Sequence, residues 1–105
     1  MTTADVEVRP HETSVDIAVS GEIDLSNSDV VQQKIFASID NRLVEVRLDL
    51  AGLKYLDSAG LRVLFALAER LKLLQTSCTV LSPVGSPTRR VLEMAGVGAV
   101  ADLRP

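Results

Sequence analysis

At 105 residues the chain has the length of one domain, able to bury roughly two-thirds of the surface that its unfolded form would expose. Apolar residues make up 47% and charged residues 24%, the balance of a globular domain, which excludes a disordered tail. The 11 basic and 14 acidic residues leave a net charge of -3 with no basic run beyond Arg89-Arg90, which argues against a direct grip on nucleic acid, since that needs clustered cations.

The opening Met1-Thr2-Thr3-Ala4-Asp5 has neither the basic flank nor the apolar stretch of a secretory signal. No apolar run approaches the ~18 residues of a membrane span, so a cytoplasmic protein without membrane insertion is expected. Val6 and Val8 alternate with Glu7 and Arg9 up to Pro10, and Val15, Ile17 and Val19 alternate with Asp16, Ala18 and Ser20. Period-two alternation of this kind predicts two strands, joined through His11-Glu12-Thr13. Gly21-Glu22-Ile23-Asp24-Leu25 then leads into Ser26-Asn27-Ser28-Asp29, where a serine followed three residues on by an acid makes an imperfect capping box. With Val31, Ile35 and Ile39 at helical spacing, it predicts a helix from about Ser26 to Asp40.

From Leu43 to Leu50 a strand is expected, with Val44, Val46, Leu48 and Leu50 on one face and Glu45, Arg47 and Asp49 on the other. A charged residue at every second position leaves no packed layer on that side, so the helices gather mainly on one face of the sheet. Leu53-Lys54-Tyr55-Leu56 is a strand-like run that gives way to a helix at Asp57-Ser58, with Leu61, Leu64, Phe65, Ala68, Leu71 and Leu74 as its apolar stripe and Arg62, Glu69, Arg70 and Lys72 largely outside it. Thr79-Val80-Leu81 is a short strand with Cys78, a small hydrophobe expected to be buried, at its start. Ser86-Pro87 opens a third helix that Gly96 stops, and Val97 to Leu103 closes the chain as a last strand or irregular edge. The order is β-β-α-β-α-β-α with a short tail.

Most site chemistries find no residues here. Cys78 is the only cysteine and His11 the only histidine, too few for a disulfide or a zinc cluster. Neither a phosphate-cradling P-loop nor a dinucleotide Gly-x-Gly-x-x-Gly is present, so no cofactor is expected. Phe36, Tyr55 and Phe65 are too few and scattered to stack bases. Ser58, at a strand-to-helix join, could cap the helix, accept a phosphate or act as a nucleophile. The third use needs a base, and His11 sits in a turn while Ser58 lacks the Gly-x-Ser-x-Gly elbow.

The run Val46-Arg47-Leu48-Asp49-Leu50-Ala51-Gly52-Leu53-Lys54-Tyr55-Leu56-Asp57-Ser58-Ala59-Gly60-Leu61 closely resembles the signature of STAS domains of the anti-sigma factor antagonist type. Gly21-Glu22-Ile23-Asp24 resembles that family's first strand-to-helix element, and Val91-Leu92-Glu93-Met94-Ala95-Gly96-Val97 its final helix and stop. The resemblance implies an α/β STAS-type domain over residues 1–105, with a mixed sheet of four to five strands. It also implies a non-enzymatic partner-switching module that binds an anti-sigma factor with serine kinase activity. Ser58 would be the phosphoacceptor, modified by that kinase and restored by a serine phosphatase. Asp57, Asp24, Ala59, Gly60, Leu61 and Asn27 would support phosphorylation or meet the partner, with Asp24 equally able to serve only as a cap or turn before the first helix.

Alternatives are a STAS subunit scaffolding an ATPase, lipid-transport or stress-signalling complex, with Ser58 as a cap at a permanent interface, and a small serine-dependent enzyme. Under the switching reading, a phosphate at Ser58 would meet the positive end of the helix dipole and free backbone N–H groups, worth ~0.3 to 1 kcal/mol in its favour. Gly60 would keep the helix start uncovered for an approaching kinase, or is equally a glycine tolerated at a first turn where helix propensity matters little. Leu53, Tyr55 and Leu56 are expected to pack the loop, although one of them exposed near Ser58 would make a hot spot for a partner.

Overall fold

Valine and isoleucine at every second position build the sheet first, and a computed structural model describes it for residues 2–105. Strands β1 (Ala4–Pro10) and β2 (Ser14–Ile23) run antiparallel, from Ala4 opposite Gly21 to Pro10 opposite Val15. The remaining pairings are parallel. Strand β3 (Glu45–Asp49) lies along the first half of β2, and β4 (Leu53–Leu56) along its last residues, Gly21 to Ile23. Where β2 passes from one neighbour to the other the register shifts, and Gly21 adopts φ 93°, a left-handed value that favours glycine. Strand β5 (Ser77–Leu81) pairs with β3, and β6 (Asp102–Arg104) pairs with β5 at the edge. The order is β1-β2-β3-β5-β6 with β4 beside β2, a mixed sheet of six strands. The two beyond the simplest sequence order come from Leu53–Leu56 and Asp102–Arg104, segments too short for periodicity to separate from loop.

Three helices, α1 (Ser28–Phe36), α2 (Ser58–Leu73) and α3 (Pro87–Ala95), cover one face. Val15, Ile17, Val19, Val46, Leu48 and Val80 of the sheet meet Val31 and Ile35 of α1, Val63, Leu64, Leu67 and Leu71 of α2 and Leu92 of α3 in one core cluster. Each such side chain taken fully from water contributes about 1.5–3 kcal/mol. The opposite face carries charge instead. Asp16 accepts from Arg47 and pairs with His11 at 2.8 Å, while Arg47 also reaches Glu45. The Arg47 hydrogen bond, and then that of His11, hold the Asp16 carboxyl below its ordinary value.

Helix α1 is shorter at both ends than its spacing predicts. Ser26 does not cap it, because its hydroxyl donates to Asp24, and Asn27 holds the N-cap position without a side-chain cap bond. At the other end Ser38 Oγ donates to the Ile35 carbonyl at 2.7 Å and the Ile39 N–H turns back to Phe36, which closes the last turn before Ile39 can continue the helix. Val44, expected on the buried face, is 61% exposed because β3 starts one residue later. Cys78 is half-buried, and burial pushes its thiol up to about 11. No helix among the described residues is long and apolar enough to cross a membrane.

Candidate functional site

The parallel pairing of β2 and β4 sets the site. Ile23 lies opposite Leu56, so Asp24 and Asp57 leave the sheet as neighbours, and the Asp57 N–H donates to the Ile23 carbonyl at 3.3 Å. From there the two loops diverge in chemistry.

Asp57 has extended backbone angles and is the N-cap of α2. Its Oδ1 accepts from the N–H groups of Ala59 at 2.9 Å and Gly60 at 3.2 Å, and its carbonyl accepts from Leu61 N–H at 3.0 Å. The Ala59 and Gly60 donors have no partner within the helix, and the acid satisfies them one residue ahead of the serine. Ser58 is thereby relieved of capping and becomes the first helical residue, exposed to solvent. A phosphate there would not find the vacant N–H groups of Ala59 and Gly60 that the sequence suggests, because Asp57 already holds them.

Gly60 has a different place from the one expected. It is buried, and a Cβ on it would lie 2.8 Å from Leu56 Cβ and 3.4 Å from Ile23 Cβ. The missing side chain lets the first turn of α2 seat on β4 and β2. Ala59 is likewise buried, at 5% exposure, and Leu61 is half-buried against the core. Within Asp57-Ser58-Ala59-Gly60-Leu61 the outward part is therefore Ser58 flanked by the half-buried Asp57.

Across the join, Asp24 is engaged at both oxygens. Oδ1 accepts from Ser26 N–H at 2.8 Å and from Ser26 Oγ at 2.5 Å, and Oδ2 accepts from Thr2 Oγ1 at 2.6 Å. The Ser26 hydroxyl first, and then that of Thr2, hold the Asp24 carboxyl below its ordinary value. Asn27 staples the same turn: its Oδ1 accepts from Asp24 N–H and its Nδ2 donates to the Glu22 carbonyl, both at 2.9 Å. Its amide is thus occupied within the loop.

Two exposed apolar residues border this surface. Leu25 is 77% exposed, and Tyr55, expected to pack the loop, is 51% exposed opposite Glu22. Leu25 stands two residues beyond Ile23 as Ser58 stands two beyond Leu56, so both lie past the same end of the paired strands β2 and β4. Sequence reasoning passed over Leu25; its signal was an apolar residue in a turn, between Asp24 and Ser26, where neither strand nor helix periodicity has a use for it.

His11 sits before the start of β2, beside Asp16, whereas Ser58 lies beyond the other end of that strand. No imidazole therefore stands ready to deprotonate Ser58. Among the described residues no group of three His, Cys, Asp or Glu side chains could hold a metal ion.

The model of the STAS domain family matches residues 4–105. The anti-sigma F factor antagonist of Paenibacillus polymyxa is 30% identical over 95 residues, covering 88% of this chain and 79% of that one. The crystal structure of an anti-sigma factor antagonist from Mycobacterium paratuberculosis is similar at a TM-score of 0.85 and 27% identity, over 98% of this chain and 86% of that one. The anti-sigma factor antagonist SpoIIAA shares the fold at 22% identity, and its unphosphorylated form gives a TM-score of 0.76 over 94% of this chain and 87% of that one. Its phosphorylated form, from Bacillus, gives 0.71 over 94% and 90%.

Proposed function

This chain belongs to the STAS domain family, in its anti-sigma factor antagonist branch, and on that premise we propose that it binds an anti-sigma factor with serine kinase activity and is released when Ser58 is phosphorylated. The observation that carries the proposal is the exposed hydroxyl at the start of α2, left outside the cap because Asp57 does the capping. The unmodified protein sequesters the anti-sigma factor in the cytoplasm and so frees a sigma subunit. The anti-sigma factor's kinase activity ends the capture, and a serine phosphatase renews it. The chain itself acts as a binding protein, in keeping with relatives named as anti-sigma factor antagonists.

A phosphate carries close to two negative charges and would arrive beside Asp57 and Asp24. With the N–H groups of Ala59 and Gly60 already bonded, it has no cradle in that turn and stays at the contact surface. Like charges juxtaposed across a docked interface cost several kcal/mol, and ~3 kcal/mol already weakens binding roughly a hundredfold. The fold survives, since no core residue is touched.

The test is a pull-down with wild type, Ser58→Ala and Ser58→Asp, together with the mass of the wild type after incubation with the captured kinase and ATP. Wild type and Ser58→Ala retain the anti-sigma factor, Ser58→Asp loses it, and one phosphate appears at Ser58. Equal capture by all three proteins would end the switching reading. A large loss of helix signal in circular dichroism on phosphorylation would end the surface mechanism.

A further inference from the structure

We propose that Thr2 is a positioning residue for the Ser58 site, its hydroxyl fixing one oxygen of the Asp24 carboxylate while Ser26 fixes the other. The inference rests on Ser58 being the switched hydroxyl and adds a residue that the family signature does not contain.

The main chain delivers Thr2 to this spot. Beyond the first pair of β1 and β2, Ala4 opposite Gly21, the chain stays against β2, and the Thr3 carbonyl accepts from the Glu22 N–H at 2.9 Å. The approach is so close that a Cβ on Gly21 would lie 2.5 Å from that carbonyl oxygen. The segment is thus held as a strap across the register shift in β2, and the next side chain along it is the one that reaches Asp24. Thr2 Oγ1 donates to Oδ2 at 2.6 Å, and Oδ1 receives both donors of Ser26.

Asp24 is also fixed through its backbone. Its N–H donates to Asn27 Oδ1, and its carbonyl accepts from Ser28 N–H at 2.9 Å. A carboxylate bonded at one oxygen can swing about its side-chain torsions; bonded at both, it is held in one plane. The held charge adjoins the Asp57-Ser58 turn, to which it is tied through Asp57 N–H and the Ile23 carbonyl. A docking protein therefore meets Asp24 as a fixed charge and not as a mobile one.

Thr2→Val removes the hydroxyl at nearly constant shape, and Thr2→Ser retains it. The Asp24 carboxyl carbon is followed by NMR through a pH titration, apart from the signals of Glu22 and Asp57, together with the amide signals of Asp57 and Ser58. In Thr2→Val the Asp24 midpoint rises, because one of the hydrogen bonds that favour its ionised form is gone, and the two amide signals move with it; Thr2→Ser keeps the wild-type midpoint. Affinity for the anti-sigma factor recovered in the pull-down falls roughly threefold to tenfold in Thr2→Val and returns in Thr2→Ser. An unmoved Asp24 midpoint in Thr2→Val, or amide signals at Asp57 and Ser58 that ignore it, overturns the proposal. The titration needs no partner, so its outcome for Thr2 stands apart from any failure of Ser58 to take phosphate.

Discussion

The β4–α2 and β5–α3 joins follow one plan, a strand turning into a helix with a serine at its start, and they use that serine in opposite ways. At the second join Ser86 is itself the N-cap: its Oγ accepts from Arg89 N–H at 3.1 Å, and Pro87 takes the first helical position. At the first join Asp57 caps, and Ser58 falls one residue inside the helix, exposed. Serine before a helix is by itself a cap signal. What sets Ser58 apart is the acid in front of it, which takes over the structural duty and leaves a hydroxyl without one.

The sharpest way to break this contrast is at the packing beneath the first join. Gly60→Ala places a methyl 2.8 Å from Leu56 Cβ. Relief requires α2 to lift from β4, and overpacking of this kind costs about 1–3 kcal/mol, measured by urea denaturation. A cost below about 0.5 kcal/mol, the usual range of a surface change, would mean that the spacing relaxes freely and that the glycine serves approach after all.

A smaller effect is expected at the cap. Asp57→Ala leaves the N–H groups of Ala59 and Gly60 unpaired and costs about 0.5–2 kcal/mol, whereas Asp57→Asn retains an acceptor and most of the stability. Calorimetric melting of the two variants decides it. Equal losses in both would show that the charge against the helix dipole, and not the hydrogen-bonding oxygen, holds the turn.

How far these two joins were legible follows from the same residues. Alternation over Val15 to Val19 and Val46 to Leu48, and the stripe from Leu61 to Leu71, are long enough to fix strands, helix and a one-sided core, and the structure has them. Their ends depend on where hydroxyls and amides find partners. Ser26 looked like a cap and instead serves Asp24, whose other oxygen is held from 22 residues away by Thr2; no local pattern announces a bond of that reach. Gly60 was visible as a glycine, yet its burial depends on Ile23, which only the parallel pairing of β2 and β4 brings beneath it. The Asp57-Ser58 pair was legible as a join, but which of the two capped was settled only by backbone geometry.

The smallest expected effect is the most telling, because it separates two chemically identical substitutions. Ser86→Ala removes the oxygen that accepts from Arg89 N–H and costs about 1 kcal/mol, the usual loss for a capping serine. Ser58→Ala leaves the Asp57 cap intact, deletes an exposed hydroxyl and puts the best helix former at the first helical position, so stability stays within about 0.5 kcal/mol of wild type. Denaturation of the two variants side by side measures the difference. A Ser58→Ala loss as large as that of Ser86→Ala would mean that the hydroxyl holds the helix start in place, and a kinase would then have to break the fold's own bond to reach it. Near-zero cost at Ser58 beside a clear cost at Ser86 leaves that oxygen without a structural role, and its presence is then explained by what another protein does to it.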